Sequence, residues 1–375
     1  MHCGAFQRLV VRGASFMVVL ALGLPINLFA ATTATAPQSG RSTRPPVTQS
    51  KAPTAKKTST KSAPTRKRSY SASASRARRA RLTRARAEAR AREARELQTP
   101  RFKIDDLGQE VPDVRAEAAI IYNPETNQVL WESNAQDQRA IASITKVMTA
   151  LVFLESDMPL TSPVSVVRSD VYRASTTYLR NGYQVTADDL MNLLLIGSDN
   201  AAARALARVS PYGASGFIER MNQKATELGL RQTHYADPSG LLAANVSSAY
   251  DMARLIAFAA ADERIGAIMR KATHSVQAGK RTITVASTNH LVRSGEFDVV
   301  GGKTGFITSS GYCIASLLRL PQTGQQVAVV VLGAKSNQGR FWETRHLFNW
   351  MTSHAQKLLS IAQPPAPPTG NELQQ

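Results

Sequence analysis

The basic residues of this 375-residue chain are crowded into one stretch. Residues 41–103 hold 20 Lys and Arg against 3 Asp and Glu, with Arg8 and Arg12 ahead of them, whereas residues 104–375 balance 24 basic against 24 acidic side chains. That segregation constrains the fold more than the overall pI near 10.4 does. A nucleic-acid-binding domain carries its excess charge on a folded surface, so an electroneutral carboxy-terminal part argues against one. From Thr32 to Pro100 the chain is mostly Ala, Ser, Thr, Pro, Lys and Arg, with too few large apolar side chains to offset chain entropy by burial. A disordered basic linker over 32–108 is expected. Within it, Arg76 to Leu97 is rich in helix formers, so a helix is expected on contact with an anionic surface. The linker reads either as a tether to anionic envelope polymers or as a plain spacer.

Ahead of it, Arg8 and Arg12 precede an apolar stretch from Phe16 to Ala30 and then small residues, the pattern of an export signal over 1–31. An uncleaved anchor is the alternative, although the stretch falls short of the ~18–20 apolar residues a span needs. The chain is thus expected in the periplasm or cell envelope. Cys3 would leave with the signal; Cys313, left alone, forms no intramolecular disulfide and reads as a small buried apolar residue.

The hydrophobic fraction of 43% suffices for a core. Ala118–Tyr122 and Gln128–Glu132 flank a Pro/Asn turn and predict a hairpin. Helical spacing follows at 143–156, 187–196, 201–209, 216–228 and 248–261. Strand-like runs return at 281–285, 311–318 and 327–332, and a last helix over 340–359 presents Leu347, Trp350, Met351, His354 and Leu358 as one stripe. Strands at both ends with helices between them predict a single α+β domain, beginning near Val111 and spanning 109–360, followed by a Pro-rich tail, 361–375.

The chain has no His-Glu-x-x-His, its histidines at 234, 274, 290, 346 and 354 are scattered, and one mature cysteine makes no zinc cluster, so neither metal nor cofactor is expected. No Gly-x-Ser-x-Gly elbow occurs either. Ser143-Ile-Thr-Lys146 is the only Ser-x-x-Lys, and three residues apart on a helix its side chains share one face. A neutral lysine there is able to take the serine proton, which requires moving its pKa from about 10.4 to near 7, roughly 4–5 kcal/mol. The apolar run after Lys146 is where the burial would come from. Taken alone, the motif also describes an ordinary helix start. Gly197-Ser198-Asp199-Asn200 breaks two helical runs, and Gly301-Gly302-Lys303-Thr304-Gly305 precedes a strand-like run, its glycines allowing close backbone approach. Ser287-Thr288-Asn289 is a competing Ser-x-Asn, but it lies too near Lys303 for the order of the other two motifs.

Three such motifs in this order, 55 and 105 residues apart, resemble the active-site triplet of penicillin-binding proteins and serine β-lactamases. RAIASITKVMTALVFLE, HYADPSGLLAANVSSAYDMARLI, and TNHLV followed by GGKTGFITSSGYC resemble the low-molecular-mass D-alanyl-D-alanine peptidases, specifically their endopeptidase branch. The resemblance implies a β-lactamase/DD-peptidase-like α+β fold, an antiparallel sheet flanked by helices with a smaller helical region. It implies Ser143 as nucleophile, Lys146 as its base, Ser198 as proton relay, and Asn200, Lys303, Thr304 and Gly305 as substrate-binding. Lys303 would also help to keep Lys146 neutral, and the backbone N–H groups of Ser143 and Phe306 would form the oxyanion hole. Asp199 and Asp237 read as structural. Peptidoglycan stem peptides are the implied substrate and β-lactams the covalent inhibitors. A β-lactamase is disfavoured by the lack of Glu-x-x-Leu-Asn between 201 and 302, a carboxypeptidase by the short tail, and a non-catalytic wall-binding protein by the complete motifs. Asp199 itself departs from the Glu common in the endopeptidase branch.

Overall fold

The computed structural model describes residues 68–361, with side chains from 73 to 355; the export segment, the linker up to 67 and the tail from 362 lie outside the described residues. The described chain opens with helix α1 (Arg68–Gln98) and a small hairpin, β1 (Phe102–Ile104) with β2 (Glu110–Pro112). The expected hairpin follows as β3 (Ala118–Asn123) and β4 (Gln128–Ser133). After a short strand β5 (Arg139–Ala140) and a 3₁₀ turn (Ala142–Ile144), the chain builds its helical region: α2 (Thr145–Leu154), the ribbon β6 (Pro163–Ser165), α3 (Arg168–Val171), β7 (Gln184–Thr186), α4 (Ala187–Leu195), α5 (Asn200–Val209) and α6 (Gly213–Glu227). Then come β8 (Val246–Ser247), α7 (Ala249–Ala261), α8 (Glu263–Met269), the ribbon β9 (Thr273–Ala278) with β10 (Arg281–Ala286), and α9 (His290–Ser294). Strands β11 (Val299–Ile307), β12 (Gly311–Arg319) and β13 (Gln326–Ala334) and helix α10 (Asn337–Ile361) close it.

The principal sheet is antiparallel with order β11-β12-β13-β3-β4, so the two ends of the domain sequence meet in one sheet. Strand β13 reads as an unbroken apolar run because both faces are covered. Ala328, Val330 and Leu332 pack with α2, α4, α5 and α7, while Val327, Val329 and Val331 pack against Leu347, Phe348 and Met351 of α10. Side-chain alternation thus divides one strand between two cores. Local chemistry sets where helices start. Thr186 and Asp189 form a reciprocal capping box on α4, Asp199 caps α5 through Ala202 N, and Ser248 caps α7 through Asp251 N.

Four expectations need correction. Residues 68–98 form a helix and 102–112 a hairpin where a disordered linker was expected through 108. The helix propensity of Ala and Arg outweighs like-charge repulsion, helped by Arg84–Glu88 and Arg92–Glu96 one turn apart. The end of α1 is also tied down: Arg115 donates to Glu96 O and Thr99 O, and His346 meets Gln98 O. Order therefore begins well before Val111, and Arg101 pairs with Asp113 across the first hairpin. The Lys-Thr-Gly segment lies within β11 rather than ahead of a strand. His354 leaves the apolar stripe for solvent and stacks on Trp350, while Phe348 and Ala355 fill the core face.

Candidate active site

Ser143 sits in the 3₁₀ turn leading into α2, and its predecessor Ala142 has φ +47°, a left-handed conformation unfavourable for a residue with a Cβ. Two neighbours hold that turn. Asn245 O accepts from Ile141 N at 3.1 Å. Gly305 of β11 lies so close that a Cβ there would be 2.6 Å from Ile141 O and 3.1 Å from Ser143 N. The sheet edge therefore runs against the backbone of Ser143, and only glycine permits it.

One turn on, Lys146 is 0% exposed. Its Nζ lies 2.8 Å from Ser143 Oγ, 2.6 Å from Asn200 Oδ1 and 2.5 Å from Ser239 O. Burial lowers its pKa to about 7; the carboxylates of Asp237 and Asp199 oppose that shift and Arg204 assists it. A neutral amine has two N–H groups and one lone pair. An amide oxygen and a backbone carbonyl only accept, so they take both N–H groups and leave the lone pair for the hydroxyl of Ser143.

The loop between α4 and α5 supplies the opposite wall. Ser198 has φ +58° and is held there by its neighbours. Asp199 N bonds Leu193 O, Asn200 N bonds Thr176 O, and the buried Asp199 carboxylate accepts from Thr177 Oγ1, Tyr178 N and Ala202 N. Burial raises the pKa of Asp199 despite those bonds. Its loop-shaping role agrees with the sequence reading. Ser198 Oγ accepts from Lys303 Nζ at 2.9 Å, and that amine also reaches Thr304 O. Lys303 is 1% exposed; burial first, then Lys146 and Arg340, push its pKa well down. The geometry thus brings Ser143, Lys146, Ser198, Asn200, Lys303 and Thr304 around one cleft of ≈ 410 Å³, with Gly305 and Phe306 on its β11 side. That volume is within the range of small-ligand sites.

Asn200 lines the cleft but is only 3% exposed, its Oδ1 accepting from Lys146 Nζ and its Nδ2 donating to Ala174 O. Lys303 was expected to be the standing positive charge, but its environment opposes the ammonium as it does that of Lys146. Arg340 on α10 is the more durable cation: burial lowers its pKa only to about 10. Its guanidinium donates to Gly305 O and Cys313 O beneath β11 and lines the cleft.

Sequence reasoning missed Arg340, Ser239 O and Thr288. Thr304 Oγ1 donates to Thr288 Oγ1 at 2.7 Å, so the set-aside Ser-Thr-Asn segment does border the site. A signal for it was present in the sequence; for Arg340 there was none. Cys313 is fully buried, its thiol pKa raised by burial.

A protein family described as D-alanyl-D-alanine carboxypeptidase matches residues 106–336. The chain is 33% identical over 228 residues to a D-alanyl-D-alanine endopeptidase of Haemophilus influenzae, covering 60% of this chain and 78% of the relative. It is 30% identical to D-alanyl-D-alanine carboxypeptidase DacF of Bacillus subtilis, covering 60% of this chain and 59% of that protein. Among solved structures, a Streptomyces DD-transpeptidase superposes with a TM-score of 0.61 at 26% identity, covering 64% of this chain and 98% of the other.

Proposed function

Because the chain belongs to the D-alanyl-D-alanine carboxypeptidase family of serine peptidases, we propose that it hydrolyses D-alanyl peptide bonds in peptidoglycan through an acyl-enzyme on Ser143, and that cross-links between stem peptides are its substrate. One observation carries the reading: a wholly buried Lys146 whose N–H groups are taken by Asn200 and Ser239 and whose remaining contact is the Ser143 hydroxyl.

In the first step Ser143 Oγ attacks the carbonyl carbon of the D-alanyl bond and its proton passes to Lys146 Nζ. The oxyanion forms against the backbone N–H groups of Ser143 and Phe306, each such donor typically worth about 3–4 kcal/mol in the transition state. The departing amine takes a proton from Ser198, Ser198 is resupplied by Lys303, and the proton that Lys146 took from Ser143 passes across the cleft to restore Lys303, leaving Lys146 neutral for the second step. Water then attacks the ester carbonyl as Lys146 accepts its proton, and Lys146 returns that proton to Ser143 Oγ as the acyl–oxygen bond breaks, releasing the acid product and the free serine. A carboxylate next to the scissile bond meets the Thr304 hydroxyl, with Arg340 below. Its charge favours the ammonium of Lys303, offsetting the burial that lowers it in the empty cleft. Penicillin enters the same path and stays attached to Ser143, because no Glu-x-x-Leu-Asn segment lies between 201 and 302.

Cleavage of cross-links rather than of the terminal D-alanine is supported by the endopeptidase likeness, which spans 78% of that relative, against 59% of the carboxypeptidase. Export to the periplasm follows from the 1–31 segment, which lies outside the described residues. Among the described residues no helix is long and apolar enough to cross a membrane.

The test pairs two assays. Fluorescent penicillin is expected to label the protein covalently and Ser143→Ala to abolish labelling; label on the variant overturns the assigned nucleophile. Defined cross-linked and uncross-linked muropeptides then compete as substrates. Release of monomers from the cross-linked one is expected, and release of D-alanine alone overturns the substrate assignment.

A further inference from the structure

Asp237 lies outside the cleft and carries none of the bond-making steps, but its carboxylate is saturated with donors. Oδ1 accepts from Ser239 N and Ser239 Oγ, each at 2.6 Å, and from Gly240 N at 2.8 Å. Oδ2 accepts from Leu242 N at 2.7 Å and Asn245 Nδ2 at 2.8 Å. Five hydrogen bonds from one turn to one carboxylate fold residues 237–245 around it. Asn245 is itself fully buried and accepts from Ala236 N and Asp237 N, closing the turn.

The turn delivers three carbonyl oxygens to the segment bearing the nucleophile. Pro238 O accepts from Thr149 Oγ1 at 2.6 Å, Ser239 O from Lys146 Nζ at 2.5 Å, and Asn245 O from Ile141 N at 3.1 Å. Gly240, at φ +76°, lies where a Cβ would be 2.0 Å from Ala142 O. The left-handed Ala142 and the amine of Lys146 are thus both held by one folded turn.

Resting on the proposed roles of Ser143 and Lys146, we infer that Asp237 is a positioning residue for the base: through the 237–245 turn it holds Ser239 O against Lys146 Nζ and so aims the lone pair at Ser143. Losing that carbonyl frees one N–H to rotate toward Ser143 Oγ, where a proton acceptor is needed. Asp237 also adds negative charge near the amine. Facing Lys146, the carboxylates of Asp237 and Asp199 favour its charged form, and Arg204 and Lys303 oppose it. Removing the charge of Asp237 therefore shifts the balance toward the neutral amine while loosening its aim. The two effects have different signatures, a slower rate and an acidic limb displaced to lower pH.

The experiment measures the second-order rate of fluorescent-penicillin labelling against pH for the full chain, Asp237→Asn, Asp237→Glu and Asp251→Asn. Asparagine turns an NH₂ onto the donors Leu242 N and Asn245 Nδ2 and removes the charge. Asp251 holds Gln232 N and Thr233 Oγ1 in the preceding loop and serves as the control for general destabilisation. Asp237→Asn is expected to label about 10- to 100-fold more slowly, the scale of a misaligned reacting group, with its midpoint moved to lower pH. Asp237→Glu, which keeps the charge and both oxygens, is expected to return the midpoint to that of the unaltered chain and recover most of the rate. Final labelled fraction counts folded molecules, so instability lowers amplitude rather than rate or midpoint. An unchanged rate in Asp237→Asn, a slower rate with an unmoved midpoint, or an equal shift in Asp251→Asn overturns the inference. Labelling of the unaltered chain that disappears in Ser143→Ala still upholds the underlying reading in each case.

Discussion

Helix α1 and the cleft both concentrate positive charge, under opposite conditions. The nine arginines from Arg76 to Arg95 are all exposed, whereas Lys146 and Lys303 are almost wholly buried. The arm's arginines are solvated, Arg84 and Arg92 pair with Glu88 and Glu96 one turn on, and such exposed pairs add little to folding. Burial makes the ammonium form of each cleft lysine costly, and the two lysines disfavour each other's charge. The arm's cations are thus suited to long-range, salt-sensitive attraction, and the cleft's to proton transfer. Helix α1 carries 10 arginines against 3 glutamates, a net +7 of the chain's +19.

Changing the cleft should break this contrast with the larger effect. The folded-state pKa of Lys146, about 7, lies below its ordinary value of 10.5, so between those limits the unfolded chain binds more protons and stability rises with pH. The slope is about 1.4 kcal/mol per pH unit, roughly 5 kcal/mol over the whole window, and the cost is fully present below pH 7. Lys146→Met removes that titration. Its unfolding free energy relative to the unaltered protein should therefore fall steadily from pH 7 to 10 in denaturant melts. A pH-independent difference would mean that the buried amine stays charged.

Changing the arm sharpens the contrast from the other side and should affect the enzyme less. Removal of residues 1–91 leaves Glu96, Gln98 and Thr99, whose carbonyls meet Arg115 and His346. Turnover of a soluble muropeptide should be unchanged, while co-sedimentation with anionic cell walls weakens, most visibly at low salt. Equal loss of turnover and retention would contradict the separation.

What was legible in the sequence follows the same division. Ser143, Lys146, Ser198 and Lys303 could be grouped from their spaced motifs, and the structure brings their side chains into contact in two pairs, while α4, α5 and α7 were legible because apolar periodicity and caps agree. Strand β11 was obscured by its glycines, which close packing requires to be small: Gly305 against Ile141 and Ser143, Gly301 against Ala260 and Met269, and Gly302 against Asn289. Ser239 contributes a backbone oxygen, which no side-chain motif reveals. Arg340 comes from the last helix, 35 residues beyond the glycine it underlies, and only the tertiary fold joins them. Helix α1 was misjudged because like-charge crowding was weighted above propensity and glutamate pairing.

The account depends on an amine at Lys146 that loses its proton near neutrality. Heteronuclear magnetic resonance of the selectively labelled Lys146 side chain, titrated in the intact protein, measures this directly. A midpoint at about 7 is predicted; a midpoint near 10, as for a solvated lysine, would contradict it.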